Sequence, residues 1–452
     1  MTLPTTNKPK MLRFNLISLG CAKNLVDSEV MLGSMNVNGW EHVESPEDAD
    51  LLLLNTCGFI QPAVEEAIDE ILELVKIKEQ FPTKKLVVTG CLVQRYKEKL
   101  GEDLPEVDLF VGTEGAGDIA QLIAPLFKGE ISNRVVLQER VLMDSSLPRI
   151  VSAPHFRAWL KITEGCNNRC AYCMIPSIRG NLRSRQIDDL VYESVRLEQQ
   201  GVKELSLIAQ DSTAYGDDLG PEINIVSLLR ELLKKTSIPW IRLLYLYPSG
   251  LSDDLLQLMA DNPRIVPYLD IPFQHVSDRV LHQMNRRYTS EALYNLLVRV
   301  RDHVPDVAIR TTFLVGFPGE SEQEFLEIES FLRQVKIDHV GVFTYANEEG
   351  CPSEGLTGQL PEGEKQRRCD HLLTVQFDLS KEIQKKYIGK VESVLVEGVN
   401  RETDLLLEGR TRFQAPEVDG CVHINDGIAN PGDIVQVKIC ETQIYDLVGG
   451  IV

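Results

Sequence analysis

The sequence has no hydrophobic run long enough to cross a membrane and no excess of basic residues. Its apolar runs, such as residues 51–54, are short and interrupted by charge, far below the roughly 18 residues that a spanning helix needs. Residues 1–10 contain Pro, Thr, Asn and Lys without the apolar segment of a secretory signal. We therefore expect no membrane association and a cytoplasmic location.

Acidic residues outnumber basic ones, with 67 Asp and Glu against 47 Lys and Arg, which gives a formal charge of −20. Indiscriminate binding of nucleic acid requires a basic face that neutralises phosphates. The charge therefore argues against such binding and favours a basic partner. A hydrophobic content of 43% also excludes disorder as the main state, and 452 residues suffice for about three domains.

Cysteine, in contrast, is plentiful, because ten occur in the chain. Disulfides are rare in a reducing compartment, so metal binding or catalysis is the better explanation. Three cysteines form one tight cluster: Cys166, Cys170 and Cys173. Three more are spread at intervals of 36 and 34 residues: Cys21, Cys57 and Cys91. Four have no spacing partner, and we interpret them as adventitious or buried: Cys351, Cys369, Cys421 and Cys440.

The first region, 11–148, alternates apolar strands with amphipathic helices. Strands are predicted at 12–19, 51–54, 86–88 and 109–111, and the clearest helix at 62–78. This alternation predicts a parallel sheet. Each of the spread cysteines follows a predicted strand, and such strand ends share one edge of the sheet. We therefore favour a metal site there over three separate buried thiols.

The remaining chain is predicted to form two further domains, 152–383 and 384–452. The first continues the alternation, with strands at 159–163, 204–208, 241–246, 268–271, 308–315 and 339–343 and helices such as 187–200 and 322–335. It predicts a complete or partial α/β barrel. The last region has short β runs at 391–396, 405–408, 418–424 and 434–439, punctuated by glycines, and predicts a small β-barrel.

The tight cysteine cluster has the spacing Cys-x-x-x-Cys-x-x-Cys directly after a predicted strand. A structural zinc site needs a fourth ligand, and no further Cys or His follows closely. Three thiolates suit three irons of a cubane cluster and leave the fourth iron open to a small molecule. The spacing resembles the signature of the radical S-adenosylmethionine (SAM) superfamily. That resemblance implies a 4Fe-4S cluster whose open iron binds SAM.

The surrounding residues narrow the resemblance to the methylthiotransferases. The motifs around the spread cysteines read SLGCAKNLVDSE (18–29), NTCGF (55–59) and TGCLV (89–93). Further matching segments are 164–180, DIPFQH (270–275) and RTTFLVGFPGE (310–320). The final barrel resembles the TRAM domain that ends these enzymes. The resemblance therefore covers nearly the whole chain beyond the first ten residues.

Two branches of this family compete as the better match. One methylthiolates an adenosine of tRNA, and the other, of the RimO type, methylthiolates an aspartate of small-subunit ribosomal protein twelve. The motif GCAKN (20–24) and the segment PFQH (272–275) resemble the second branch. From Gln384 onward there are seven basic and eleven acidic residues, a net charge of −4. An acidic final domain suits a basic ribosomal protein better than RNA.

The chemistry of the aspartate branch requires cofactors. The β-carbon of an aspartate carries no usefully acidic proton, so a general base cannot activate it. The resemblance implies a radical-generating cluster on Cys166, Cys170 and Cys173 and a second 4Fe-4S cluster on Cys21, Cys57 and Cys91 that presents sulfur. A second SAM would supply the methyl group. An electron donor and a sulfur source are implied as partners, and a monomer is expected because the chemistry needs no other chain.

Four residues are weaker candidates for contacts with SAM. Gln210 and Gln274 follow predicted strands at the face of the barrel where active sites lie, although each could simply cap its strand. Tyr172, between two cysteines, and Phe313, late in its strand, could contact SAM or only pack. A nearby basic stretch could neutralise a carboxylate of SAM or of the target, or be a solvated surface: Arg179, Arg183 and Arg185.

A hypothesis of another class remains open, namely an iron–sulfur electron-transfer or scaffold protein without catalysis. The predicted α/β barrel weakens it, since a small carrier needs no substrate cavity. Cleavage of SAM under reducing, anaerobic conditions would exclude the carrier. Among enzymes, the alternative is the tRNA adenosine methylthiotransferase, which tight, salt-sensitive binding of tRNA would favour.

Overall fold

A computed structural model describes residues 11–130, 133–152, 154–400 and 402–452. The chain forms two compact units. The first comprises residues 11–152 and Met174–Arg185, and the second comprises residues 154–173 and Gln186–Val452. No helix among the described residues is long and apolar enough to cross a membrane.

The first unit is built on a six-stranded parallel sheet with the order β2-β1-β3-β4-β5-β6. Its strands are β1 (Arg13–Ser18), β2 (Glu41–His42), β3 (Leu51–Thr56), β4 (Lys85–Gly90), β5 (Leu109–Val111) and β6 (Val135–Val136). Its helices are α1 (Ala22–Val37), α2 (Gln61–Gln80), α3 (Cys91–Tyr96), α4 (Glu98–Asp103), α5 (Ile119–Ile123) and, from the later segment, α6 (Ile175–Ile178). Short 3-10 helices lie at Pro46–Asp48, Thr113–Gly115 and Ala124–Lys128, and a two-residue strand at Arg183–Ser184.

Both faces of this sheet are covered, which explains the continuous apolar run at residues 51–54 that begins β3. Leu52 and Leu54 pack on one face with residues of α2, whereas Leu51 and Leu53 pack on the other face with residues of α1. All four leucines are fully buried. A strand buried on both faces needs apolar side chains at every position.

The second unit opens with a six-stranded parallel sheet whose strands lie side by side in chain order. The strands are β7 (Arg157–Lys161), β8 (Glu204–Ile208), β9 (Trp240–Leu243), β10 (Ile265–Asp270), β11 (Ala308–Val315) and β12 (His339–Thr344). The helices are α7 (Ile187–Gln199), α8 (Ile225–Lys235), α9 (Asp253–Asp261), α10 (Asp278–Gln283), α11 (Ser290–His303), α12 (Glu322–Val335) and α13 (Glu362–Gln384). Thr163–Glu164 is a two-residue strand, and 3-10 helices lie at Ser212–Ala214, Pro248–Gly250 and Lys385–Tyr387. This arrangement is a partial α/β barrel, one of the two predicted forms.

The second unit ends in a closed five-stranded barrel with the order β13-β14-β15-β17-β16. Its strands are β13 (Val391–Val399), β14 (Leu407–Thr411), β15 (Val422–Asp426), β16 (Ile434–Thr442) and β17 (Leu447–Ile451). The sequence pattern predicts the first four of these but not β17. A Cβ on Gly449 would lie 2.4 Å from the Lys438 carbonyl oxygen, so glycine permits the close pairing while hiding the apolar alternation.

Several predicted bounds agree with the structure, and three strands are shorter than predicted. The strands predicted at 12–19, 241–246 and 418–424 are Arg13–Ser18, Trp240–Leu243 and Val422–Asp426. β5, β8, β11 and α12 begin and end where the pattern places them. The strand predicted at 241–246 ends at Leu243, because Tyr245 has a φ of 59° and leaves the extended conformation. The domain boundaries proposed at 148–152 and 383–384 remain predictions.

Candidate functional site

The first candidate site lies at the carboxyl edge of the N-terminal sheet. Cys21 follows β1 and precedes α1, Cys57 follows β3 directly, and Cys91 follows β4 as the first residue of α3. The predicted position after each strand is therefore confirmed for all three cysteines. Because β1, β3 and β4 are adjacent and parallel, their ends bring these cysteines to one edge.

Backbone packing draws the three cysteine loops together. Gly20 has a φ of 94°, and a Cβ there would lie 2.8 Å from Cys57 Cβ and 3.3 Å from Cys57 Sγ. Gly58 is constrained in the same way as Gly20, because a Cβ added to it would lie 2.7 Å from Cα of Leu92, next to Cys91. Only glycine allows these approaches, so the glycines beside the cysteines have a steric cause.

The three thiols are close enough to influence one another's ionisation. Burial raises the pKa of Cys91 to about 11, Arg179 opposes that rise, and charge on Cys21 or Cys57 adds to it. Burial likewise raises the pKa of Cys57, again with a contribution from Cys21. The pKa of Cys21 is lowered, because the Lys23 cation and backbone N–H groups outweigh desolvation of the thiol. A metal centre bound by the three thiolates would offset their mutual repulsion with its positive charge.

Arg179 is the charged group in contact with this cysteine site. Its Nε and Nη2 lie 3.3 and 3.2 Å from Cys91 Sγ, and its Nη1 donates to Asp27 Oδ2 at 2.9 Å. The sequence left two alternatives for Arg179, namely neutralising a carboxylate of SAM or of the target, or lying in a solvated basic stretch. The carboxylate that it pairs with in the structure is Asp27 of the same unit. No local spacing signals this contact, because 88 residues separate Arg179 from Cys91.

The second candidate site is the loop that carries Cys166, Cys170 and Cys173 after β7. Cys166 and Cys170 are buried, and Cys173 is half-buried. The loop is held by backbone contacts to the segment after α10, because Ala171 N donates to Met284 O at 2.9 Å. Asn285 Nδ2 donates to Arg169 O at 2.6 Å in the same region. The close cysteine spacing therefore becomes an anchored loop at the carboxyl edge of the barrel sheet.

Arg286 accompanies this second set of cysteines. Its Nη1 lies 3.5 Å from Cys170 Sγ, and its guanidinium stacks on the rings of Tyr247 and Tyr288 at 4.4 and 5.1 Å. Its Nη2 also donates to the Pro272 carbonyl. No sequence pattern singles out Arg286, since it lies 116 residues from Cys170.

Gln210 lies where the pattern predicts, beyond the carboxyl end of β8 and beside the cysteine loop. Its Nε2 donates to Glu164 Oε1 at 3.1 Å, two residues before Cys166. Glu164 is a buried carboxylate that also accepts from Lys161 Nζ at 3.0 Å. The Oε1 atom of Gln210 is buried and has no hydrogen-bond partner among the described residues. An orphaned buried acceptor at this edge fits a ligand that donates a hydrogen bond.

Gln274 and Phe313 are adjacent, joined by an isolated β-bridge. Gln274 has a φ of 70°, and its backbone N–H donates to Thr312 O at 2.7 Å, which fixes it at the strand ends. The ring of Phe313 is fully buried and packs against Phe273 and Phe331, with ring centroids 6.4 Å apart in each pair. That ring fills the core under α12, so Phe313 offers a ligand its backbone and not its side chain.

Tyr172 lies between the second and third cysteines of the loop and is half-buried. It joins a small apolar cluster with Ala171, Met284 and Phe317. Burial holds the pKa of its hydroxyl well above the usual range, with Arg286 acting in the opposite direction. The hydroxyl is therefore neutral at physiological pH, and the ring supplies an apolar wall next to the cysteines.

The four remaining cysteines lie outside both sites. Cys351 and Cys369 are buried, Cys440 is exposed, and Cys421 is half-buried. The thiols of Cys369 and Cys440 donate to backbone carbonyls, at 3.5 and 3.4 Å. These placements agree with the interpretation of the four as adventitious or buried.

Cys421 has neighbours that no spacing pattern predicts. Among the described residues, one trio of His, Cys, Asp or Glu ligand atoms lies mutually within 4.8 Å: Glu408, Cys421 and His423. Burial, with the carboxylates of Asp446 and Glu408, strongly raises the pKa of Cys421. Asn400 Nδ2 joins two members of the trio, since it lies 3.0 Å from Glu408 Oε2 and 3.2 Å from His423 Nδ1.

In neither cysteine trio do all three sulfur atoms lie within 4.8 Å of one another. Zinc–sulfur bonds of about 2.3 Å would place the sulfurs of a single-ion site about 4 Å apart. Three thiols held more widely, with no fourth protein ligand in the motif, fit a cluster of several irons better than one ion.

Comparison with known families covers most of the chain. Residues 13–112 match the family described as uncharacterized protein family UPF0004. Residues 160–332 match the radical SAM superfamily, and residues 388–452 match the TRAM domain. The second range runs from the end of β7 into α12, within the partial barrel, and the last range coincides with the closed barrel.

Relatives are similar over nearly their whole length. A ribosomal protein uS12 methylthiotransferase RimO of Desulfotalea psychrophila is 63% identical over 98% of this chain and 99% of its own. The protein of the same name from Syntrophotalea carbinolica is 46% identical, over 97% of each chain.

Solved structures share the fold at low sequence identity. The radical SAM methyltransferase TsrM of Kitasatospora setae, solved with cobalamin and a [4Fe-4S] cluster, has a TM-score of 0.57 at 13% identity and covers 74% of this chain and 75% of its own. The cobalamin-dependent radical SAM enzyme OxsB has a TM-score of 0.52 at 12% identity, over 81% of this chain and 56% of its own. These likenesses support the α/β architecture.

Proposed function

Because the chain belongs to the RimO family of ribosomal protein uS12 methylthiotransferases, we propose that it transfers a methylthio group to the β-carbon of an aspartate in uS12, the small-subunit ribosomal protein twelve. The observation that carries this proposal is the pair of cysteine trios. Each lies at the carboxyl edge of a parallel sheet, and neither is gathered closely enough for a single ion. One trio alone would account for radical generation but not for a source of sulfur.

The donor sets fit two iron–sulfur clusters. Cys166, Cys170 and Cys173 would hold a 4Fe-4S cluster with one open iron for SAM. Cys21, Cys57 and Cys91 would hold a second 4Fe-4S cluster whose open iron presents sulfur. When bound, the first cluster and SAM supply a radical that removes a hydrogen atom from the aspartate carbon, and a second SAM supplies the methyl group. No general base could perform this step on a carbon beside a carboxylate.

Residues at the edge of the partial barrel would orient SAM. The orphaned Oε1 of Gln210 is suited to accept a hydrogen bond from SAM, since its Nε2 is already held by Glu164. Tyr172 would place its ring beside SAM next to the open iron. Gln274 would act at the end of its strand through its polar groups, and Phe313 through its backbone.

The remaining partners follow from the proposed reaction. The enzyme needs an electron donor for the radical step and a source that restores sulfur. Its substrate is a basic ribosomal protein, which suits a chain of charge −20, and RNA binding would be secondary. Acting on ribosomal protein places the enzyme in the cytoplasm, and we propose that it acts as a monomer.

A competition assay under strict anaerobic conditions tests this function. Protein reconstituted with iron and sulfide would meet SAM, reductant, uS12 and unmodified tRNA, followed by mass spectrometry of both substrates. We expect a methylthio gain on one aspartate of uS12 and none on tRNA. Cys21→Ala and Cys166→Ala should each abolish the gain, whereas Cys440→Ser should retain it, because Cys440 is an exposed thiol outside both sites.

The outcomes separate the alternatives. A gain on tRNA would identify the tRNA branch and show that the acidic final barrel misled the assignment. Absence of SAM cleavage in fully reconstituted protein would leave an iron–sulfur carrier as the better description. Cleavage of SAM with full methylthiolation in Cys21→Ala would contradict a role for the second cluster.

A further inference from the structure

The segment Met174–Arg185 packs with the N-terminal unit, although it follows the second cysteine loop directly in the sequence. It contains the short helix α6, and Arg179 is the residue that ends this helix. The Arg179 side chain is 4% exposed, so a full positive charge is buried in the unit that carries Cys21, Cys57 and Cys91. A buried cation needs specific partners, because its desolvation costs several kcal/mol.

One side of the guanidinium faces a cysteine sulfur. The Nε and Nη2 atoms of Arg179 approach Cys91 Sγ at 3.3 and 3.2 Å, as two prongs of one planar fork. Arginine stays protonated at any physiological pH, and lysine cannot present two fixed donors in this geometry. The contact is thus a permanent positive charge with two N–H groups aimed at one proposed cluster ligand.

The other side of the guanidinium is held by α1. Its Nη1 donates to Asp27 Oδ2 at 2.9 Å, and its Nη2 lies 3.3 Å from Asn24 Oδ1. Asn24 is itself fixed, because its Nδ2 donates to Leu19 O at 2.6 Å. Since α1 begins immediately after Cys21, one guanidinium links the elements that carry Cys21 and Cys91.

Charge and hydrogen bonds to the sulfurs are among the main determinants of the potential of an iron–sulfur cluster. Both act in the same direction at Cys91, because a cation and N–H donors stabilise the more negative, reduced state. The negative charge of Asp27, on the far side of the guanidinium, opposes this stabilisation of the reduced state. Removing the charge of Asp27 should therefore raise the reduction potential.

We propose that Arg179 is a positioning residue of the auxiliary cluster, the second cluster proposed above on Cys21, Cys57 and Cys91. Arg179 fixes the Cys91 ligand through two N–H···S bonds and raises the reduction potential of this cluster. The proposal rests on the two-cluster function above. A purely structural role, in which Arg179 only joins its segment to α1 through Asp27, would leave the potential unchanged.

The test isolates the auxiliary cluster in the full-length chain by replacing Cys166, Cys170 and Cys173 with alanine. The protein is reconstituted anaerobically, its iron is counted, and its potential is measured by a redox titration followed by electron paramagnetic resonance. Arg179→Gln should lower the potential, with at least a tenfold change in the reduction equilibrium, which is about 59 mV for one electron. Arg179→Lys, which keeps the charge but loses the fork, should lie between the two.

Two further variants make the test decisive. Asp27→Asn should raise the potential, because it removes the opposing charge while it leaves an oxygen for Arg179. Arg183→Gln is the matched control, since Arg183 lies on the same segment and pairs with Glu114 at 3.0 Å. It should leave the potential as in the parent.

The outcomes distinguish this inference from the proposed function. If the parent with the three alanines binds no iron, the two-cluster function is wrong. If the parent loads four irons and both Arg179→Gln and Asp27→Asn leave the potential unchanged, the role of Arg179 is wrong. If Arg179→Gln fails to load, Asp27→Asn decides alone: a rise supports the proposal, and no change overturns it.

Discussion

Each cysteine site has an arginine on one sulfur, but the two arginines lie in different surroundings. Arg179 contacts Cys91 and is paired with Asp27, so its charge is partly offset. Arg286 contacts Cys170 and lies against two tyrosine rings, and among the residues that the structure describes no carboxylate forms an ion pair with it. The arginine on the sulfur is therefore partly neutralised by an ion pair at the first site but, among the described residues, not at the second. The two sites are thus electrostatically distinct although both use three cysteines.

The orphaned acceptor of Gln210 leads to a prediction about SAM. Replacing Gln210 with leucine, of similar size, removes the buried Oε1 and the bond to Glu164. A neutral hydrogen bond lost from a buried site costs about 1 to 2 kcal/mol, which is roughly tenfold in affinity. We expect the Kd for SAM of the reconstituted protein, measured by equilibrium dialysis, to rise by about that factor.

The control for this prediction is Gln200→Leu, because Gln200 is an exposed glutamine at the end of α7. It should bind SAM as the parent does. An unchanged Kd in Gln210→Leu would show that its Oε1 faces no part of SAM, and would leave Gln274 and Tyr172 as the candidates.

Elements of the partial barrel and the closed barrel are joined by buried charges within the second unit. Glu204, the first residue of β8, accepts from Arg242 Nε of β9 and from Arg410 Nη2 of β14, both at 2.6 Å. All three side chains are almost fully buried. The network lies at the amino end of β8, whereas Gln210 and the cysteine loop lie beyond the carboxyl end of the sheet. A change here therefore tests the joining of the elements without touching the site.

Glu204→Gln should lower the stability of the protein in a pH-dependent way. Burial alone would raise the pKa of Glu204, but Arg242 and Arg410 outweigh it and lower the pKa to about 2. At pH 7 the substitution removes the carboxylate partner of Arg242 and leaves Arg410 with Glu397 alone, and breaking a buried ion pair in this way costs about 3 to 5 kcal/mol. The stability from a carboxylate with a lowered pKa is present above its unfolded value of about 4.3 and is lost as pH falls toward 2.

The measurement is the free energy of unfolding of parent and variant by urea titration at several pH values. The difference should be constant above about pH 5 and shrink below it. Glu231→Gln serves as the control, because Glu231 forms an exposed pair with Lys234 on one helix and should cost less than about 1 kcal/mol at every pH. A small difference at pH 7 would mean that Glu204 contributes little to joining the two barrels.

At the level of elements, sequence patterns succeed where one physical rule dominates. β8 is recognisable because buried parallel strands are largely apolar, β11 because its buried residues alternate along the strand, and α12 because its buried face recurs every three or four residues. The cysteine positions of the sites follow from the same rule, since the ends of parallel strands share an edge. The apolar pattern does not reveal β17, because Gly449 permits a close approach of the backbone to Lys438 and interrupts that pattern.

The contacts around the sites are harder to predict, because they join residues that are remote in sequence. Arg179 looks like part of a solvated basic stretch until the fold places it on Cys91. Phe313 is at the predicted strand end, but which face of β11 packs under α12 decides where its ring points. Periodicity alone assigns a residue to a face, and only the three-dimensional packing identifies what that face meets.

For the whole molecule, charge is the property that connects composition with substrate. The chain carries −20, and its final barrel is itself acidic, with a net charge of −4 from Gln384 onward. In that barrel Leu405 and Ile428 are 89% and 95% exposed and line one shallow groove together with Asp404 and Asp426. Exposed apolar tips beside carboxylates suit a basic protein surface and repel a phosphate backbone.

We therefore expect the binding of uS12 to weaken with salt and to depend on the acidic groove. Raising sodium chloride from about 50 to 200 mM should slow association, because screening shortens the range of the attraction. The double variant Asp404→Asn and Asp426→Asn should slow association about threefold, since exposed charge pairs contribute about 0.2 to 1 kcal/mol each. Glu65→Gln with Glu66→Gln, on the exposed face of α2, removes equal charge and should have little effect.

Surface plasmon resonance with immobilised uS12 measures association for the parent and both double variants, and excess unmodified tRNA should not compete. Equal slowing by both double variants would show that only net charge matters, and competition by tRNA would show that the final barrel binds RNA despite its charge.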